Sequence, residues 1–303
     1  MSRPLYGAGD GLRPTLGELL ALEAKVARRH AGRHGRGNAL QGGAFRMRRH
    51  GQGLEPSDSR PYAPGDEARH VDWRVTARAG QLYSKRFEAE RARVCLLLVD
   101  PDARQFFGSR VRYKSVQAAH AAAAAAWGAQ RQGDRVGALN VLSGELIAPR
   151  GGRNGTLPVL EALQRWYAQV PAAESVPLQA RLDTAMRLAR GGTLVVLAEA
   201  ARVAEVPPSL WCLLCAHLRV HLVLVADRLE DDPPAQALSV VTSAGRQQLA
   251  LDQSRVRAAW TAPRRQALAR IRQWQVAGLS IHHLYTDDDA TAWLPSVPAG
   301  GAA

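Results

Sequence analysis

The chain has 303 residues, 46% of them hydrophobic, and carries 40 Lys and Arg against 27 Asp and Glu, a formal net charge of +13. This composition supports a buried core in one large domain or two small ones, and the positive charge favours an anionic partner. Three cysteines and the lack of a signal-like segment after Met1 argue against a disulfide-stabilised secreted protein, so we expect a cytoplasmic one.

The first predicted element is a helix. Thr15 and Glu18 have the spacing of a capping box, apolar residues follow at helical intervals, and Gly32 supplies a stop. These signals predict a helix over residues 16–31.

A basic block follows, because residues 24–54 contain eight Lys and Arg and no acid. Residues 33–53 lack periodicity and are predicted to form an irregular loop. The charge is compatible with nucleic acid, an anionic membrane surface or an acidic protein face, but no nucleic-acid motif accompanies it. The candidate anion contacts are Arg28, Arg29, Arg33, Arg36, Arg46, Arg48 and Arg49.

Residues 60–87 hold the most specific information in the chain. Two extended segments, Val71–Ala77 and Leu82–Phe87, are joined by a short loop that contains Gly80, which predicts a β-hairpin. An isolated hairpin is marginal in water, so we expect it to pack on the main domain with Trp73 buried. On that basis Trp73→Ala would cost about 3–5 kcal/mol.

The polar residues before this hairpin are predicted to be structural. Asp66, Glu67, His70 and Asp72 could serve acid–base or metal chemistry only if they converged on a pocket. Asp66 stands where a turn cap is expected, and arginines outnumber the acids as partners. A polar network that fixes the hairpin is therefore the preferred interpretation.

From residue 93 onwards strands alternate with helices. The predicted strands are Val94–Val99, Arg135–Leu142, Glu145–Ala148, Thr193–Ala198, Val220–Ala226 and Ser280–Tyr285. The predicted helices are Val111–Arg131, Leu157–Gln169, Leu178–Ala189, Pro207–His217 and Pro263–Ala277. This alternation predicts an α/β fold with a doubly wound, mostly parallel sheet. The window 210–226 is interrupted by charged and imidazole side chains, so no membrane span is predicted.

The motif R-P-Y-x-P-G-D-x-x-R-x-x-D-W-R-x-T-A-R resembles the signature of the bacterial family called domain of unknown function 58 (DUF58). Its residues here are Arg60, Tyr62, Pro64, Gly65, Asp66, Arg69, Asp72, Trp73, Arg74, Ala77 and Arg78. The resemblance implies a von Willebrand factor A-like domain and a neighbouring MoxR-type AAA+ ATPase. The expected divisions are an N-terminal helix and basic segment (1–59), the signature hairpin (60–92), the A-like domain (93–290) and a flexible tail (291–303).

The resemblance also implies a divalent-metal site where the strands end. Asp100 matches the first ligand of such sites and Asp102 replaces a Ser, but Arg104 replaces a second Ser, and a guanidinium cannot ligate Mg²⁺. Glu199 is a weak substitute for a later Asp, and Thr156 is the candidate loop Thr. We therefore expect Arg104 to pair with Asp100 or Asp102 and no tight Mg²⁺ site, with metal binding kept as an alternative.

Other chemistry lacks support in the sequence. Cys212 and Cys215 have redox or zinc spacing, but no second ligand pair exists, and small apolar residues on a buried helix face are the preferred reading. Neither a phosphate-binding loop nor a Gly-x-Ser-x-Gly elbow occurs.

We predict a non-enzymatic interaction protein without a cofactor. By resemblance, it works with a MoxR-type ATPase in chaperone-like assembly or maturation of other proteins. The alternatives are binding of nucleic acid or an anionic surface through residues 24–54, and a metal-dependent site at the strand ends.

Overall fold

The computed structural model describes residues 9–34, 56–63, 71–87, 93–171, 176–242 and 245–294. The chain divides into two compact units, one formed by residues 1–35 with 93–303 and the other by residues 36–92. No helix in the part described is both long and apolar enough to cross a membrane.

The helices and strands are numbered along the chain. The helices are α1 (Leu16–His34), α2 (Trp73–Ala79), α3 (Lys114–Arg131), α4 (Arg153–Trp166), α5 (Gln179–Leu188), α6 (Ala200–Ala204), α7 (Pro208–Cys215), α8 (Arg228–Asp231) and α9 (Ser254–Arg272). The strands are β1 (Pro56–Pro61), β2 (Tyr83–Phe87), β3 (Val94–Val99), β4 (Arg135–Asn140), β5 (Leu146–Arg150), β6 (Thr193–Ala198), β7 (Arg219–Ala226), β8 (Leu238–Thr242), β9 (Gly245–Leu249) and β10 (Leu279–Tyr285).

The larger unit is built on a six-stranded sheet with the order β10-β7-β6-β3-β4-β5. All neighbours are parallel except β5, which pairs antiparallel with β4. The strand order reverses between β3 and β6, the arrangement of a doubly wound sheet. The predicted α/β fold with a mostly parallel sheet is confirmed.

Both faces of the sheet are covered, which explains why its central strands are apolar throughout. In β3, Leu97 and Val99 pack in a cluster with residues of α1, α3 and α4. The alternate residues Leu96 and Leu98 pack in a second cluster with residues of α5, α6, α7 and α9. Strand periodicity therefore divides one apolar segment between two cores.

Helix α3 is enclosed, and its small side chains allow this. Residues 121–126 are all alanine and all buried, so neighbouring elements can approach the helix closely. Trp127 is fully buried on the same helix, and its Nε1 donates a hydrogen bond of 2.9 Å to the Leu19 carbonyl of α1. α1 is thereby fixed to the core of the larger unit.

The predicted strand Val71–Ala77 is wrong, because most of that segment is the helix α2. The Asp72 carboxylate caps it, accepting from the backbone N–H groups of Arg74 at 3.1 Å and Val75 at 3.2 Å. Gly80, at φ 70°, ends it in the left-handed conformation that glycine adopts freely. The cap outweighed the β propensity of the short Trp-Arg-Val-Thr segment.

The second strand of the predicted hairpin exists, but its partner differs. β2 pairs antiparallel with β1, whose last two residues begin the signature motif, and Arg60 stands opposite Ser84. Val71 contributes a single bridge to Ser84. The helix α2 therefore belongs to the connection between the paired strands β1 and β2. A tight β-hairpin would need only a two-residue turn at this point.

Several boundaries in the larger unit also differ from prediction. α9 begins at Ser254 and contains Pro263, which the sequence placed at a helix start. The hairpin of β8 and β9 and the short helices α6 and α8 are not predicted at all. Residues 295–303 of the predicted tail lie outside the described residues, whereas Trp293 and Leu294 are buried.

Truncating a buried tryptophan should destabilise the protein far more than truncating an exposed one. We expect Trp127→Ala to lower the free energy of unfolding by about 3–5 kcal/mol, because it opens a cavity and leaves the Leu19 carbonyl without its donor. Trp73 is 68% exposed, which contradicts the predicted burial, so Trp73→Ala should cost less than about 1 kcal/mol. Urea denaturation measures both; equal losses would show that α3 does not hold the core as described.

Candidate functional site

The candidate site lies at the carboxyl ends of the parallel strands, next to the reversal in strand order. Asp100 and Asp102 follow β3, Glu199 follows β6 and Asp227 follows β7. These four acids and the side chains that contact them are called the strand-end edge below. Open α/β sheets bind ligands at this position.

Asp100 forms a buried ion pair with Arg202 of α6. The guanidinium Nε lies 2.8 Å from Asp100 Oδ2 and Nη2 lies 3.3 Å from Oδ1, and the two side chains are 0% and 3% exposed. Arg202 also donates to the backbone carbonyl of Val176. Burial raises the pKa of the Asp100 carboxyl above its ordinary value, and the guanidinium opposes that effect. The pair places a positive charge against each oxygen of the buried carboxylate.

Asp102 is paired with Arg104, as the sequence predicts. Arg104 Nε donates to Asp102 Oδ1 at 2.8 Å and Nη2 donates to Oδ2 at 3.2 Å. Asp102 also caps the short 3-10 helix Ala103–Gln105 by accepting from the Arg104 backbone N–H at 3.0 Å. Arg202 Nε lies 3.6 Å from Asp102 Oδ2, so the two ion pairs form one network.

Lys114, the first residue of α3, neutralises the next carboxylates. Its side chain is 2% exposed, and Nζ contacts both Glu199 and Glu230, the latter at 2.6 Å. Glu230 also accepts the backbone N–H of Asp227 at 2.9 Å, which completes the capping box of α8. A single ammonium group therefore joins the loops that follow β6 and β7.

Asp227 is completely buried and its oxygens are occupied. It accepts from the backbone N–H of Ser109 at 2.9 Å, from Thr286 Oγ1 at 2.8 Å and from the Leu229 N–H at 3.0 Å. Burial acts to raise the pKa of Asp227, but these hydrogen bonds outweigh it and hold the pKa below its ordinary value. The carboxylate thus connects the loop before α3 to β7 and to the residue after β10.

The implied metal ion does not fit these residues. Asp100, Asp102 and Glu199 each face an arginine or lysine at ion-pair distance, so a divalent cation would have to displace those groups against their charge. Thr156 donates to the Gly152 carbonyl at 3.3 Å. Within the described ranges no three His, Cys, Asp or Glu side chains are grouped to hold a metal.

A cleft of about 390 Å³ opens beside the network. Phe107 and Trp260 form part of its wall, with ring centres 5.8 Å apart in an edge-to-face arrangement. Trp260 is fixed by a hydrogen bond of 2.8 Å from Nε1 to the Leu229 carbonyl. The lining residues are Arg104, Phe107, Lys114, Glu199, Ala200, Ala201, Val225, Glu230, Ala259, Trp260, Pro263 and Arg264. None of these described lining residues is a Ser, Thr, Cys or His, and the charged ones include Lys114, Glu199 and Glu230.

The described signature residues lie on β1, on α2 and next to these elements, and they do not converge on one pocket. Asp72 caps α2, while the side chains on that helix, Trp73, Arg74, Ala77 and Arg78, are exposed. The Tyr62 backbone N–H donates to the Leu82 carbonyl at 2.9 Å, and Arg60 belongs to β1. Pro64, Gly65, Asp66 and Arg69 lie outside the described residues, as do Glu67 and His70 of the predicted polar network.

The predicted basic block is described only in part. Arg28 is exposed on α1, and Arg29 donates to the Ala292 carbonyl at 2.8 Å. The backbone of Arg33 belongs to α1, so this helix extends past the predicted start of the irregular segment, whose remaining residues 35–53 lie outside the described ones. Arg36, Arg46, Arg48 and Arg49 lie outside the described residues.

The cysteine pair has no converging ligands among the described residues. Cys212 is exposed and Cys215 half-buried on α7, so the buried-face interpretation is wrong for Cys212. Burial, followed by the neighbouring Cys212, raises the pKa of the Cys215 thiol above its ordinary value. Both thiols are free.

Four functional residues escape the sequence-based prediction, namely Lys114, Arg202, Asp227 and Glu230. Asp227 could have been found, because it directly follows a buried strand at the edge where Asp100 also lies. The cations carry no such signal, since their partners are distant in the chain. Lys114, for example, contacts Glu199 and Glu230 across more than eighty positions.

Comparison with known proteins identifies one family. Residues 58–269 match the model of the family described as "Protein of unknown function DUF58". Uncharacterized proteins of Mycobacterium bovis and of two Mycobacterium tuberculosis strains are 33% identical over 149 residues, which is 48% of this chain and 47% of each relative. The match therefore spans about half the length of these curated relatives.

Breaking the Asp100–Arg202 pair should be costly. We expect Arg202→Leu to lower the free energy of unfolding by about 3–5 kcal/mol, because Asp100 would be left charged and buried. The control Arg187→Leu removes the exposed pair with Asp183 and should cost less than about 1 kcal/mol. Chemical denaturation compares the two, and adding Asp100→Leu to Arg202→Leu should recover part of the loss. Similar losses in both single variants would contradict the buried pair.

The same network leads us to expect no micromolar binding of Mg²⁺ or Mn²⁺. The measurement is titration calorimetry of the full chain, with Asp100→Ala as the comparison. Fixed cations already neutralise the oxygens that a metal would need. Binding heats that fit a micromolar dissociation constant and that disappear in Asp100→Ala would overturn the expectation.

Proposed function

The chain belongs to the DUF58 family, and we propose that it is a non-enzymatic interaction protein whose strand-end edge binds another protein. The observation that carries this proposal is the cleft of about 390 Å³, which combines aromatic walls with charged groups that are already held in ion pairs. Protein interfaces use the same combination of a buried apolar anchor and a polar rim.

The walls of the cleft suit an apolar side chain of a partner. Phe107 and Trp260 meet edge to face, and the small residues Ala200, Ala201 and Ala259 also line the cleft. An inserted aliphatic or aromatic side chain would lose its hydration there, which is the main favourable term in most interface anchors.

The rim of the cleft supplies fixed charges. The Arg104 side chain is 46% exposed and that of Glu230 is 21% exposed, and each is held by a second charged group. Ordered side chains lose less conformational entropy on binding than free ones. The edge is therefore pre-organised for a partner that brings complementary charges around an apolar anchor.

A MoxR-type AAA+ ATPase is the proposed partner, in assembly or maturation of other proteins. This part rests on the resemblance of the signature motif. The finer assignment of residues 93–290 to a von Willebrand factor A-like domain belongs to the same proposal. It is supported by the strand order, the antiparallel edge strand β5 and the position of Asp100 after the first strand of the sheet.

Binding of nucleic acid or an anionic surface is the second candidate. The observation that favours it is the acid-free segment 24–54 with its eight Lys and Arg. Such binding would weaken steeply with salt, by a log–log slope of about −0.9 for each DNA phosphate neutralised.

The cleft can be tested by filling it. We expect the full chain to bind a MoxR-type AAA+ ATPase from the same organism, and Ala259→Gln to weaken that binding at least about tenfold by occupying the cleft. The control Ala180→Gln alters an exposed alanine of α5 that does not line the cleft and should change affinity less than about twofold. Biolayer interferometry measures both.

Two results would refute the proposal. One is a lack of binding between the unaltered chain and the ATPase. The other is unchanged affinity in Ala259→Gln, which would place the interface elsewhere. If duplex DNA binds instead with the salt slope above, the second candidate replaces the first.

A further inference from the structure

The helix α9 presents a second charged surface next to the strand-end cleft, and Glu230 lines both. Its 19 residues contain six arginines and no acid. The charge is concentrated, because residues 94–303 as a whole carry 22 Lys and Arg against 17 Asp and Glu. Without α9, the large C-terminal part of the chain would have no excess of basic residues.

Only two of these arginines are used inside the protein. Arg264 is buried and pairs with Asp231 at 2.9 Å. Arg257 donates to the backbone carbonyls of Leu251 and Asp252 at 2.6 and 2.8 Å. Both contacts fix α9 to the elements before it.

The remaining four arginines face outwards and are called the arginine face, namely Arg255, Arg265, Arg270 and Arg272. All four are exposed, and none has a carboxylate at ion-pair distance among the described residues. Arg265 and Arg272 are seven residues apart, so they lie on the same side of the helix, about 10.5 Å from each other along its axis.

A groove of about 330 Å³ runs beside this pair of arginines. Thr261, Arg265, Leu268 and Arg272 line it along the helix, so one apolar side chain stands between two guanidinium groups. Glu230 and Asp231 also line the groove. These acids already have cationic partners in Lys114 and Arg264, so they leave the groove open to an acidic ligand.

We propose that the arginine face and its groove bind an acidic amphipathic helix of a partner protein. Carboxylates repeated at heptad spacing would meet Arg265 and Arg272, and an apolar side chain between them would pack on Leu268. Guanidinium groups bind carboxylates in a planar fork that lysine cannot offer, which fits the absence of lysine from α9. The proposal goes beyond the strand-end cleft and does not depend on it.

Other anionic partners fit the surface less well. Single-stranded nucleic acid is bound by aromatic platforms next to basic groups, but the single aromatic residue of α9, Trp260, is half-buried with its N–H occupied. Membrane-surface helices carry large apolar side chains beside the charges, whereas the exposed positions between the arginines of α9 are Ala258, Ala259, Pro263, Gln266 and Ala269.

The probe for the test is a synthetic amphipathic peptide of about 21 residues, with Glu at heptad spacing beside a Leu stripe. We expect the full chain to bind it, and the affinity to fall when salt is raised. The double variant Arg265→Gln/Arg272→Gln should bind at least about tenfold more weakly. Fluorescence anisotropy of the labelled peptide provides the measurement.

A matched control separates this surface from general charge. Arg131→Gln/Arg190→Gln removes the same charge from exposed positions on α3 and after α5, and should change affinity less than about twofold. Ala259→Gln, which fills the strand-end cleft, should leave peptide binding intact.

Three outcomes would overturn the proposal. The first is no binding of the peptide by the unaltered chain, and the second is an equal loss in the control variant. The third is preferential binding of duplex DNA, or of vesicles of phosphatidylserine and phosphatidylcholine, that is lost in Arg265→Gln/Arg272→Gln. That result would show that the arginine face binds phosphate groups in place of carboxylates.

Discussion

The desolvation of charge at the strand-end edge is the constraint on which the structure of this protein depends. Asp100 has no exposed surface, because it directly follows β3, the strand whose alternate residues pack in the two apolar cores on either face of the sheet. A buried carboxylate is tolerated only with a partner that supplies charge and hydrogen bonds. Arg202 meets that need, and Lys114 does the same for Glu199. Loops from β3, β6 and β7 are held together as a result.

The sheet was predictable because its strands are buried on both faces. An apolar segment such as Val94–Val99 can be recognised from its residues alone, and Thr193–Ala198 was predicted with both ends correct. Local caps were harder to weigh. Asp72 begins a helix in a segment of mixed propensity, and Pro263 lies inside α9 instead of starting it. Short-range signals compete there, and tertiary packing decides between them.

The site was predicted less completely than the fold. The pairing of Arg104 with Asp102 lies within two residues, so charge and spacing were sufficient to find it. Arg202 and Asp100 are a hundred positions apart, and only the order of strands in the sheet brings them together. The arginine face of α9 is a property of helix periodicity and burial combined, neither of which composition reveals.

The attachment of α1 and β10 to the core affects how this protein can be divided. The family match covers residues 58–269, which leaves out both elements. A fragment with those limits would lack the Leu19 carbonyl that accepts a hydrogen bond from Trp127 Nε1. It would also lack β10, the strand that pairs with β7. The apolar strand β7 would become an open sheet edge, a known template for aggregation. Recombinant fragments cut at the family limits should therefore be insoluble, although they contain the entire signature.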